Sequence, residues 1–256
     1  MHAKKLIAVA LLAGCGDDPK ECFTPTVSAA TCDPARTTFS LATTNPYFPL
    51  RPGNISILEG TEGGVPVRVE RRVLGETETV MGVRTRVLEI RELRDGVLRE
   101  VARNFYVEAK DGTVCHFGED VDEYENGQVA SNDGSWRAGV HDAKPGIAMP
   151  AAPKVGDAYF QEVAPGIAQH QGRVAAVGGT MTFAGMSYTD VVTIEVADPL
   201  DDDASCAART THYAPGVGEA ADGVTTLVSF TLGMDPPDPV ARGGGAGGDV
   251  RLGQRR

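Results

Sequence analysis

The 256-residue sequence contains no Cys-x-x-Cys pair, no two histidines within four residues of each other and no Gly-x-Ser-x-Gly elbow. The first absence removes the usual thiolate zinc knot, and the second a pair of imidazole ligands on one helix face. The third removes the strained nucleophile turn of the α/β-hydrolases. Glycines run together over Gly243–Gly248, but with no lysine and no strand–helix context, so they form no phosphate cradle. Trp136 is the sole tryptophan. No apolar run comes near the roughly 20 residues that cross a bilayer as a helix. No window carries an amphipathic helical stripe longer than two turns. Ala175–Met186 is apolar, yet Gly178, Gly179 and Gly185 argue against a helix there. Basic residues are scarce: 24 Lys and Arg against 35 Asp and Glu give a net charge of −11. Such a surface repels nucleic acid and anionic headgroups, so neither is expected as a partner.

What is present begins with an address. Met1–Lys5 is basic, and Leu6–Gly14 is short, apolar and closed by small residues, the pattern of a secretory signal. Leu12-Ala13-Gly14-Cys15 resembles the lipobox of bacterial lipoproteins. That resemblance implies a signal peptide over residues 1–14, cleavage before Cys15 and acylation of Cys15 as a membrane anchor. Several acyl chains on one residue hold stably where one chain is reversible. Gly16, rather than an acid, follows the cysteine and by the same resemblance favours the outer membrane of the cell envelope. An ordinary signal peptide with an incidental cysteine is the alternative. Residues 15–45, rich in Thr, Ala, Pro and Asp, read as a lipid anchor and lead-in. Residues 46–234 read as a single β-domain, long enough for a real core. Residues 235–256 read as a disordered Gly/Pro/Arg tail, too polar to offset the entropy of ordering.

With Cys15 acylated, Cys22, Cys32, Cys115 and Cys206 remain, and an even number in an exported chain reads as two disulfides. Of the three pairings, Cys22–Cys32 with Cys115–Cys206 is the expectation: one local loop and one bridge between distant strands. Four-cysteine metal ligation is the competing reading, weakened by the absence of any Cys-x-x-Cys pair.

The domain reads as strands. Val67, Val69 and Val73 alternate with Arg68, Glu70 and Arg72. Val101, Arg103, Phe105 and Val107 share one face, with Asn104, Tyr106 and Glu108 on the other. Thr113, Cys115 and Phe117 follow the turn Lys110-Asp111-Gly112, and Val192, Ile194 and Val196 alternate with Thr193 and Glu195. Val224–Leu232 is β-branched and aromatic, a good last strand. Turn signals recur at Arg94-Asp95-Gly96, Glu125-Asn126-Gly127, Asn132-Asp133-Gly134 and Val155-Gly156-Asp157. The fold class expected is all-β: an antiparallel meander forming a closed or half-open barrel, with few or no long helices.

Several segments resemble a family of uncharacterised exported bacterial lipoproteins. They are Asn45–Leu50 with Gly53, His116–Asp120 with Tyr124–Gly127, Gly134–Val140, Ala143–Pro150, Gly156-Asp157 with Gln161-Glu162, and Tyr213–Gly218. Together they cover most of residues 45–232. The last segment also resembles the closing strands of half-barrel lipoprotein-carrier folds, in which a curved antiparallel sheet wraps an apolar hollow. These likenesses imply a fold and no catalytic residues. Cys115 departs from the family, where an aromatic residue is expected, which marks its bridge as a local addition.

For chemistry, Glu119–Glu125 is the densest set of oxygen ligands, and Glu119, Asp120 and Asp122 are the candidates for calcium. The EF-hand pattern fails at Tyr124 and Glu125, so a solvated acidic hairpin is the plainer reading. Asp198 and Asp201–Asp203 form a second acidic cluster. His116, His141, His170 and His212 show no ligand spacing, though His116 and Glu119 could meet across a turn. Phe105, Phe117, Trp136, Ile147 and Met149 are candidate liners of a ligand hollow, and also what a dry core would select. Gly139–Pro153, with Pro145, Pro150 and Pro153, reads as a stiff lid or as a crossover packed on the sheet. The leading functional expectation is a non-enzymatic binding domain for an apolar or amphiphilic ligand, such as a lipid, or for an envelope partner. The alternatives are an exported hydrolase using acids and a histidine within residues 116–123, which predicts perturbed pKa values in a cleft, and a calcium-stabilised structural envelope protein.

Overall fold

The computed structural model describes residues 21–200 and 206–233. The expected signal peptide, Cys15, Asp201–Asp203 and the tail from residue 235 lie outside the described residues. The chain is all-β, with one short 3-10 turn at Ala29–Cys32, and among the described residues no helix is long and apolar enough to cross a membrane.

Two-residue turns lay out the plan. The strands β1 (Phe39–Ser40), β2 (Ile55–Glu62), β3 (Val65–Val80), β4 (Val83–Arg94), β5 (Val97–Ala109), β6 (Val114–Glu125) and β7 (Gln128–Ser131) come first. Then follow β8 (Trp136–Arg137), β9 (Gly146–Met149), β10 (Ala158–Phe160), β11 (Gln171–Phe183), β12 (Met186–Ala197), β13 (Arg209–Ala214), β14 (Gly218–Ala221) and β15 (Thr225–Thr231). Asp95-Gly96 joins β4 to β5 and Asn126-Gly127 joins β6 to β7, with φ of 49° and 74° in the first turn and 52° and 75° in the second. Positive φ at both central residues gives the turn twist that matches paired strands.

All pairings are antiparallel. The order is β10-β11-β12-β13-β14-β15-β2-β3-β4-β5-β6-β7, with β1 on β5 and β8 and β9 on β6, in a sheet that does not close. It curls far enough to make a half-open barrel, and bulges supply much of the bend. One lies in β3, where Val73 opposes Leu88 but the next aligned pair is Thr77 with Arg86.

The lead-in is part of this body, so the domain begins before the boundary expected at residue 46. Thr26 N and Val27 N donate to Ala158 O on β10, at 2.8 and 3.0 Å, while β1 pairs with β5. Farther on, Thr44 N, Thr44 Oγ1 and Asn45 N all donate to the buried Glu108 carboxylate, at 2.6, 2.8 and 2.9 Å. The segment is thus a belt drawn from β10, at one end of the strand order, to β5 near the other.

That course also corrects the disulfides. They are Cys22–Cys206 and Cys32–Cys115, not Cys22–Cys32 and Cys115–Cys206. Cys22 N and Phe23 N both donate to Gln171 Oε1, at 2.6 and 2.9 Å, which fixes Cys22 beside β11. Cys32 ends the 3-10 turn, fully buried with Cys115 in the main core. Proximity in sequence loses to the route of the belt.

The Gly139–Pro153 segment is not a lid. Its central residues form β9, which pairs with β6 in the register Cys115↔Ile147 and His116↔Gly146, and all four are buried. The prolines flank the strand instead of interrupting it, so the segment packs on the sheet through a ladder of its own.

Candidate functional site

A cavity of about 350 Å³ occupies the concave side of the sheet. Its walls draw on β3, β4, β5, β6, β9, β12, β13 and β14, together with the connection between β10 and β11. Alternation explains who faces it. On β5 the inward set includes Glu100, Asn104 and Tyr106, and on β13 Arg209, Thr211 and Tyr213. On β3 the inward register Val67, Val69, Arg71, Val73 places a guanidinium where a valine would continue the pattern. Arg71 Nη1 meets Glu219 Oε2 of β14 at 2.8 Å.

β6 breaks the alternation. Tyr106 opposes His116 and Asn104 opposes Glu119, so one residue of β5 faces two of β6 between these pairs. This bulge turns both His116 and Glu119 toward the concave side, which a regular strand forbids at a spacing of three. Gly118 makes it possible. Its φ is +140°, and a Cβ there would stand 2.5 Å from Trp136 O on β8. A bulge, not a turn, sets His116 and Glu119 on one face of β6.

His116 is 2% exposed. Its ring lies 4.5 Å from that of Tyr106 and 5.1 Å from that of Trp136. Nδ1 stands 3.7 Å from Glu162 Oε1, and Nε2 has no hydrogen-bond partner. Burial pushes its pKa down, against the pull of Glu162, so the ring is neutral. The Glu162 carboxylate faces Nδ1, and Nε2 is left without a partner. Glu162 Oε2 is also 2.6 Å from His170 Nδ1, and His170 Nε2 is 3.8 Å from Asp198 Oδ2. Burial works against a charge on His170, but the hydrogen bond and charge of Glu162, with Asp198, outweigh it and raise the pKa to about 9. Burial likewise disfavours a charge on Glu162, and His170 more than reverses that, holding the carboxylate ionised.

Glu119 is the opposite case. Burial, followed by the charges of Glu162 and Glu100, raises its pKa from 4.5 to about 8. Glu100 is raised as well, by burial and then by Glu92 and Glu123. An ionised Glu162–His170 pair thus lies beside Glu119, a carboxyl held protonated at neutrality that adjoins the cavity, and Glu100 in the lining is shifted the same way, a perturbed set of the kind an acid–base site uses.

Other expected site residues lie elsewhere. Phe105, Phe117, Trp136, Ile147 and Met149 are 2, 0, 4, 0 and 0% exposed and belong to the main core. None lines the cavity. Arg137 covers the Phe105 ring at 4.1 Å, and Phe39 of the belt meets Phe117 edge-on at 5.4 Å. Size and hydrophobicity select a dry core, not a lumen. Asp120 and Asp122 point away from Glu119, on the outer side of β6, where Arg137 holds one at 2.7 Å and Arg103 the other at 3.2 Å. Among the described residues no group of three His, Cys, Asp or Glu side chains is arranged to hold a metal ion. His212 sits on the outer face, 3.0 Å from Thr193 Oγ1.

Arg71 and Glu100 escaped the sequence reading although both are charges in an inward slot of an alternating strand, a signal that was there to use. Glu162 and His170 sit in an aperiodic stretch that offers no such signal. The chain matches no protein-family model, no curated protein and no solved structure, so the site rests on its own geometry.

Proposed function

We propose that this chain is the exported, lipid-anchored β-domain that its N-terminus suggests, and that it binds a small hydrophilic ligand in its lumen. The lumen carries the proposal: about 350 Å³ of space lined by Arg71, Asn104, His116, Glu162, His170 and Tyr213. Stability alone favours filling such a space, because a buried polar group without a partner costs about 1–3 kcal/mol. A ligand with complementary groups recovers that cost. An apolar or lipid-like ligand fits this lumen less well, since Phe105, Phe117, Ile147 and Met149 are sealed in the core and Trp136 lines a separate cavity. The two disulfides support an oxidising compartment.

Native mass spectrometry of the full chain, exported into an oxidising compartment and purified without detergent, tests this. A small polar adduct is the expected result, lost when Thr211→Phe fills the lumen. A lipid-sized adduct overturns the proposal and restores the carrier reading.

A second reading is favoured by one observation, the opposed protonation of Glu119 and Glu162. Two carboxyls pushed apart in this way divide the labour of acid and base in hydrolysis. On this reading Glu119 donates the proton to a leaving oxygen and Glu162, oriented by His170, activates water. Hydrolysis of aryl glycosides abolished by Glu119→Gln and by Glu162→Gln supports it, and no turnover across a glycoside panel removes it.

A further inference from the structure

Two carboxyls on the concave side stand without an ion partner among the described residues. Glu219 is taken by Arg71 at 2.8 Å and Glu162 by His170 at 2.6 Å. Asp222 is occupied with Val224 N, Thr225 N and Thr225 Oγ1, at 3.0, 2.6 and 3.1 Å. Glu100 and Glu119 are left, neither with an ion pair among the described residues. Arg209 is the remaining cation of the lining, on an exposed position at the rim. Independently, His116 is 98% removed from solvent and its Nε2 has no partner. Asn104 Oδ1 already accepts from Tyr106 Oη at 3.1 Å, which holds the Tyr106 ring in place beside His116. What this wall offers is an unpartnered imidazole nitrogen, carboxyls and the packed rings of Tyr106 and His116. The cationic donors nearest to it, Arg71 and His170, are already committed to Glu219 and Glu162.

Resting on the lumen as the binding site, we infer that the ligand is a small organic cation, an ammonium or guanidinium compound, seated between Glu119, Glu100, His116 and the ring of Tyr106. Its N–H groups satisfy His116 Nε2 and the two carboxyls through charge-assisted hydrogen bonds. Its positive charge lies against an aromatic face, as cations do in other proteins. The volume suits a molecule rather than a bare ion, and no three-ligand metal cluster stands among the described residues.

The experiment is isothermal titration calorimetry on the full, oxidised chain at an ionic strength of about 0.15 M, where loose attraction to an acidic surface is screened. The probes are putrescine, choline and arginine methyl ester, with glucose and citrate as neutral and anionic counterparts. At least one cation is expected to bind at one site per chain. Glu119→Gln should weaken that binding by roughly tenfold or more, the scale of a lost charge-assisted contact. Asp120→Asn, the next residue but on the outer face, should leave it unchanged. Circular dichroism melting of both variants confirms that they fold.

Equal weakening by the two substitutions would show surface counterion attraction and overturn the inference, as would no binding by any of the cations. If glucose or citrate binds instead, and Thr211→Phe abolishes it, the lumen stands as the site while the cation is wrong. If no probe binds and the native mass is bare, both readings fall together.

Discussion

Glu119→Gln should make this protein more stable, and by an amount that depends on pH. Glu119 has its pKa raised from 4.5 to about 8, first by burial and then by Glu162 and Glu100. A carboxyl raised in the folded state favours folding while it is protonated. That contribution is complete below the unfolded pKa and disappears as pH climbs through the folded value. At pH 9 the folded protein therefore carries the whole penalty of an ionised Glu119. A shift of this size sets a ceiling of about 5 kcal/mol at 1.36 kcal/mol per unit. Lumen water and rearrangement of neighbours screen it, so a gain of about 1–2 kcal/mol at pH 9 is expected, shrinking toward zero near pH 4. Guanidinium unfolding at pH 4.5, 7 and 9, with wild type and variant side by side, reads the difference. A variant less stable at pH 9, or equally stabilised at every pH, refutes the argument. A substitution that stabilises the fold and removes ligand together would mark a position kept for function at the expense of stability.

Replacing Gly118 with Ala should cost about 1–3 kcal/mol in chemical denaturation, because the residue is held at a φ that L side chains rarely adopt and its Cβ would run into Trp136 O; an unchanged midpoint would mean that the bulge is not required. Removal of the Glu162 carboxylate by Glu162→Gln should drop the His170 pKa from about 9 to below 6.5, since burial then acts with little opposition; an imidazole titration by NMR checks this, and a His170 pKa still near 9 contradicts it. Non-reducing peptide mapping should recover Cys22 with Cys206 and Cys32 with Cys115. Loss of either bridge through a double serine variant should lower stability by about 2–5 kcal/mol, and a recovered Cys22–Cys32 peptide would show that the belt runs differently.

Much of the fold was legible because its signals are local. Two-residue periodicity marked β3, β5 and β12, and Asp95-Gly96 and Asn126-Gly127 marked the β4–β5 and β6–β7 turns through the backbone geometry that only a few residues tolerate. The site was legible only where it obeyed the same rule, as at Arg71 and Asn104. It became illegible at β6, because nothing in Phe117-Gly118 says that Trp136, distant in sequence, will press against Gly118 and force a bulge. The disulfides failed for a related reason. A short loop is the entropically easy choice when the chain's route is unknown, and the route depends on Gln171 capturing Cys22 N. β9 was obscured by its flanking prolines, although Gly146–Met149 itself is free of them.

The belt also determines how the body answers a pull. Tension applied upstream of residue 21 enters at Cys22 and passes directly through a covalent link to Cys206, between β12 and β13. The residues that follow, from Phe23 to β1, are spared the load. The first element loaded is then the β12–β13 connection rather than the edge strand β10. Reducing that single bond would reroute the force along the belt toward Cys32 and β6. For a pull from the N-terminal side, the short route through Cys206 exists only while that bond stays oxidised.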